Sequence, residues 1–81
     1  MTLRQEIKTF ILQNFLFTDD ASMLSDTESL MQKGVIDSTG ILELIMHLEE
    51  HYSIKVEDQE MLPDNLDSIA TIAAFVERKR G

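Results

Sequence analysis

Eighty-one residues, 43% of them hydrophobic and none of them cysteine, leave room for one domain with a small core; they exclude a disordered chain, a disulfide scaffold, a zinc–thiolate site and a thiol nucleophile. The net charge of −8 is concentrated: residues 35–67 hold nine acids (Asp37, Glu43, Glu49, Glu50, Glu57, Asp58, Glu60, Asp64 and Asp67) against Lys55 alone, so this segment carries the whole of it. Such a field repels nucleic acid and anionic membrane and steers basic partners, and no apolar run approaches the ~20 residues of a membrane span.

The first helix is expected from Leu3, Ile7, Phe10, Ile11 and Phe15, which share one face at 3.6-residue spacing. Thr2 and Gln5 form a capping box for it, and it ends near Phe15–Phe17, before Thr18-Asp19-Asp20. A long connection follows to Asp37, with turn chemistry at Asp19-Asp20, Ser25-Asp26 and Gly34. Loops of this length are usually pinned or functional. Leu30, Met31, Val35 and Ile36 are the expected pins, with a short helical turn from Asp26 through Met31.

A second helix is expected over Ser38 to Tyr52, with Ile41, Leu44, Ile45, Leu48 and Tyr52 facing inward. Leu42 and Met46 fall off that stripe, beside Glu43, Glu49 and Glu50, the pattern of a helix face offered to a partner. A wide stripe that buries both is the alternative. Glu57-Asp58-Gln59-Glu60 holds a possible short turn, and Pro63 forbids a continuous helix. The last helix starts near Asp67-Ser68 and buries Ile69, Ile72, Ala73 and Val76, with Phe75. Arg78, Lys79 and Arg80 complement the negative end of its dipole. No strand pattern competes. The expected fold is all-α: a small bundle of three main helices, one or two short helical turns and a long first loop, forming one domain over residues 1–81.

The informative segment is Gly34-Val35-Ile36-Asp37-Ser38-Thr39-Gly40-Ile41-Leu42-Glu43-Leu44. Ser38 sits where a loop becomes a helix, so its hydroxyl can be exposed and a phosphodiester there meets the positive helix end. Asp37 can cap the helix and still face a metal or a basic partner. The dipeptide alone is equally a plain helix start, and Asp67-Ser68 repeats it where no acidic face follows; there it is expected to be only a cap.

His47 and His51 lie one turn apart, one turn beyond Glu43, at the spacing of helical metal ligands. They lack a further ligand at fixed spacing, and a solvated or partner-facing helix side is expected instead. Met23, Met31, Met46 and Met61 are scattered, as gap-fillers or contacts rather than a functional box. No calcium loop, phosphate-binding glycine loop or nucleophile–base pair is present, so no enzyme is expected.

From Gly34 to Tyr52 the chain resembles the acyl carrier protein signature: a glycine, an apolar pair, Asp-Ser, then apolar and acidic residues ending in Glu-Glu-x-aromatic. The resemblance extends to the apolar first helix, the long loop, Val56-Glu57-Asp58 and Leu66-Asp67-Ser68-Ile69. It implies a four-helix carrier fold in which Ser38 receives 4′-phosphopantetheine from coenzyme A, through a separate phosphopantetheinyl transferase and Mg²⁺. It also implies that Asp37, Leu42, Glu43, Met46, Glu49, Glu50, Val56 and Asp58 meet partners: the transferase, an acyl- or aminoacyl-activating ligase and downstream transferases with basic docking patches.

Thr39 and Gly40 depart from the Leu and frequent Asp of fatty-acid carriers. They are similar to free-standing carriers of activated amino acids, D-alanyl carriers among them, and to specialised acyl carriers. Glycine in a first helical turn costs up to ~1 kcal/mol relative to alanine, so close approach of the arm or of a partner is expected there. The expectation is a cytoplasmic, monomeric and complete carrier polypeptide. An acidic helical adaptor without a prosthetic group is the alternative.

Overall fold

The computed structural model describes residues 2–80, apart from the side chains of Pro63 and Asp64. Its helices are α1 (Leu3–Ile11), α2 (Ser38–Tyr52), α3 (Pro63–Leu66) and α4 (Ile69–Arg80). The three main helices are those expected, and among the described residues there is no strand.

The capping box of α1 is reciprocal. The Gln5 N–H donates to Thr2 Oγ1 at 3.2 Å and the Thr2 N–H donates to Gln5 Oε1 at 2.9 Å, so two amides at the helix start are satisfied. Beyond Ile11 the helix widens into one π-helical turn, Leu12–Leu16, closed by Phe17 in the left-handed region at φ 55°. Asn14 accounts for the change: its Nδ2 donates to the Phe10 carbonyl at 2.9 Å. A side chain that takes the acceptor of the α-helical ladder favours such a bulge.

The loop from Thr18 to Asp37 contains a 3-10 turn at Ala21–Met23, capped by Asp20. The helical turn expected over Asp26–Met31 is not formed; hydrogen bonds from the far end of the chain shape this segment instead. Leu30 N–H donates to the Asp67 carbonyl at 2.7 Å, and Ala70 N–H donates to the Asp26 carbonyl at 2.8 Å. Gly34, at φ 74°, then reverses the chain where a side chain would be strained. Leu30 and Ile36 are buried pins and Val35 is half-buried, but Met31 is 47% exposed and does not pin the loop.

Ile7, Ile11 and Leu12 meet Leu44, Ile45 and Leu48 of α2 and Ile69, Ile72, Phe75 and Val76 of α4 in one core. Burying each such side chain contributes about 1.5–3 kcal/mol. Pro63 opens the one-turn α3, a position where its missing N–H costs nothing. The basic tail of α4 binds side chains rather than only the helix end. Lys79 Nζ meets Glu60 Oε1 at 2.8 Å, Arg78 donates to Asn65 Oδ1 at 3.1 Å, and Arg80 lies over the Tyr52 ring.

Candidate functional site

Asp37 and Ser38 divide the work of starting α2. Asp37 keeps an extended backbone and its Oδ1 accepts from the Gly40 N–H at 2.7 Å, an N-cap. Ser38 is then the first helical residue. It is exposed, and its hydroxyl has no hydrogen-bond partner among the described residues. The first amides of a helix have no acceptor within it, so this end is electropositive. An open apolar pocket of 160 Å³ adjoins Ser38, lined also by Met31, Ile41, Met61, Leu62 and Leu66.

The second Asp-Ser pair is built the opposite way. Ser68 is 7% exposed. Its Oγ accepts from the Thr71 N–H at 3.2 Å and pairs with the Thr71 hydroxyl at 3.1 Å. Both Asp67 oxygens are engaged as well, one by Ser29 Oγ at 2.6 Å and the other by the Met31 N–H at 3.2 Å. This pair caps α4 and anchors the loop, and Ser38 alone of the two serines is open to a reagent.

Along α2, Leu42 and Met46 are 55% and 60% exposed, which settles against a wide buried stripe, and Glu43 and Glu50 are exposed beside them. Asp58, at the start of a 3-10 turn over Asp58–Glu60, is exposed too. Two other expected contact residues are differently placed. Val56 is 5% exposed and belongs to the core, so its side chain is not presented to a partner. Its amide is anchored as well: Glu49 Oε2 accepts from the Val56 N–H at 3.0 Å. Glu49 is half-buried and therefore holds the chain leaving α2 as well as adding charge. Met31, Met61 and Leu62 are all exposed beside Ser38; Met31 was expected to pin the loop instead, and Leu62 was not singled out from sequence. Only the scattering of flexible methionines hinted at them.

Gly40 has a reason within the fold. It is buried, and a Cβ there would lie 2.9 Å from Phe15 Cε1. The close neighbour is this chain's own α1 extension, rather than only a visiting arm or partner.

The histidines pack. His47 stacks on Phe10 with ring centroids 3.7 Å apart and planes at 10°, and His51 stacks on His47 at 5.1 Å. Burial, and then the His51 charge, push the His47 imidazole below its ordinary pKa. Tyr52 donates to Glu6 Oε1 at 3.1 Å, and burial, then Glu6, push its phenol up to about 12. Among the described residues no group of three metal-ligating side chains forms. His47 thus joins α2 to α1, while His51 stays exposed on the helix side that was expected to be solvated or partner-facing.

No family model matches the chain. It is 37% identical to an acyl carrier protein of Brachyspira hyodysenteriae over 82 aligned positions that cover 99% of each chain. It is 40% identical to a D-alanyl carrier protein of Streptococcus pyogenes over 62 positions, 76% of this chain and 77% of the relative. The chain belongs to the acyl carrier protein family. Its role is that of a carrier, not an enzyme. No helix among the described residues is long and apolar enough to cross a membrane.

Proposed function

We propose that the chain carries an acyl or aminoacyl group as a thioester on 4′-phosphopantetheine attached to Ser38, and that residues 1–81 act as one monomeric cytoplasmic domain. The observation that carries this reading is the contrast between the two Asp-Ser pairs: Ser38 is exposed at the start of the acidic helix, whereas Ser68 is buried and bonded to Thr71. The group fits the site. An exposed hydroxyl with no competing bond among the described residues is available for a phosphodiester, the helix start favours its charge, and the adjoining pocket is open.

Bound there, 4′-phosphopantetheine supplies the thiol that forms the thioester. The protein supplies attachment, presentation and docking. Leu42 and Met46 offer a small apolar contact, while Glu43, Glu50 and Asp58 attract basic surfaces of the transferase, the activating ligase and the acceptor enzymes. Charge speeds encounter and the small contact permits release between steps. The relatives named above, an acyl carrier protein and a D-alanyl carrier protein, support a cargo that is an acyl or aminoacyl group.

Intact-mass measurement after incubation with coenzyme A, Mg²⁺ and a broad-specificity phosphopantetheinyl transferase tests this. Wild type gains one phosphopantetheine and Ser38→Ala gains none. No gain on wild type, or an undiminished gain on Ser38→Ala, overturns the reading and leaves an adaptor without a prosthetic group.

A further inference from the structure

Gly40 has an ordinary helical backbone, with none of the left-handed φ that would by itself call for glycine. What it supplies is space. Its missing Cβ would lie 2.9 Å from Phe15 Cε1, 3.3 Å from Asp37 Oδ1 and 3.5 Å from Ile36 Cγ2. The first of these is shorter than real side chains tolerate, and the second crowds the carboxylate that caps α2.

The half-buried Phe15 ring is braced on the side away from Gly40. It meets Phe10 edge to face at 6.0 Å, and Phe10 in turn stacks on His47 at 3.7 Å. His47 stands on α2, so the contact runs from α2 through two rings of the first helix and back to α2 at Gly40. Phe15 itself lies in the π-helical turn, which joins it to α1 without a flexible break. Both ends of this chain of contacts are thus fixed to the helix that begins with Ser38.

We infer that Phe15 is a positioning residue for attachment at Ser38: its ring, seated on Gly40, holds the Asp37–Gly40 capping turn in the one arrangement that presents the serine hydroxyl. The inference rests on the reading of Ser38 as the attachment point. The ring touches neither Ser38 nor the exposed docking residues Leu42, Glu43 and Met46 in any contact described above. Its effect should therefore fall on turnover and not on docking.

The test is steady-state attachment of phosphopantetheine to apo protein, with kcat and KM measured separately and wild type as the control for Ser38 itself. Collision of the added Cβ with the seated ring slows kcat about tenfold in Gly40→Ala, with KM within about twofold of wild type. Phe15→Leu lacks the ring atom that an alanine Cβ would meet, so Phe15→Leu/Gly40→Ala regains most of the loss, a non-additive pair. Phe15→Tyr keeps the ring and keeps the wild-type kcat, whereas Phe15→Leu alone slows it about threefold. That comparison decides the matter even where Gly40→Ala does not fold.

A readout independent of the reaction is hydrogen exchange at the Gly40 amide, which becomes about tenfold faster in Phe15→Leu as the capping turn loosens. Wild-type kcat in Gly40→Ala, a loss borne by KM, a double variant slower than Gly40→Ala, or equal kcat in Phe15→Leu and Phe15→Tyr overturns the inference. Failure of wild type to take the group at all overturns the Ser38 reading instead.

Discussion

Asp67 and Ser29 share a 2.6 Å hydrogen bond, carboxylate to hydroxyl, that ties the long loop to the start of the last helix. The other carboxylate oxygen accepts from the Met31 N–H at 3.2 Å. One side chain thus stands in for the helical turn that the loop does not form. Removing it takes the acceptor from a part-buried hydroxyl and an exposed amide, which costs about 1 kcal/mol. Asp67→Ala is expected to lose that much in urea unfolding at unchanged m-value, and Asp67→Asn, which keeps one acceptor, is expected to lose less.

The two serines separate function from stability in opposite directions. Ser38→Ala removes a hydroxyl with no partner among the described residues, so unfolding free energy should stay within about 0.5 kcal/mol of wild type while attachment is abolished. Ser68→Ala removes a bonded cap and should cost about 1 kcal/mol while attachment on the folded protein is unchanged. Denaturant titration and intact mass on the same two samples give all four values.

Glu43 and Glu49 differ although both carry charge on α2. Glu43→Lys should slow attachment at low ionic strength, with the deficit shrinking as salt rises and the surface field is screened. The unfolding midpoint should not move, because Glu43 is exposed. Glu49→Lys should slow attachment and also lower the midpoint, since the Val56 N–H loses its acceptor. Equal midpoints for the two variants would remove the structural role given to Glu49.

His47 makes stability pH-dependent in a defined direction. Burial lowers its pKa in the folded state below the ordinary 6.5, with His51 adding to the effect and Glu50 opposing it. As pH falls below 6.5 the unfolded chain takes up a proton that the folded one still refuses. Stability from this group is full above that pH and is lost on descending toward the folded pKa. Thermal unfolding between pH 7.5 and about 5.5 should show the slope in wild type and a shallower one in His47→Gln.

The bounds of α2 were legible because cap, stripe and acidic face are all written locally between Asp37 and Tyr52. The accessible Ser38 followed from the same segment, and the contrast with Ser68 from the absence of an acidic face after the second pair. What escaped depends on contacts between distant residues. Nothing near Gly40 announces Phe15, and nothing near Asp26 announces Asp67 and Ala70. Val56 reads as a contact residue because its neighbours Lys55, Glu57 and Asp58 are charged, whereas its side chain is buried among residues distant in sequence. The π-helical turn hinges on one asparagine side chain, which periodicity does not weigh.

The interlock between residues 26–31 and 67–70 also sets an order of events during synthesis. A nascent chain that stops short of Asp67 lacks the carbonyl and carboxylate of Asp67 and the amide of Ala70 that hold the long loop. Domains generally fold as units once their partners have left the ribosome. The segment leading into Ser38 therefore takes its final form only once the start of α4 is available to hold it.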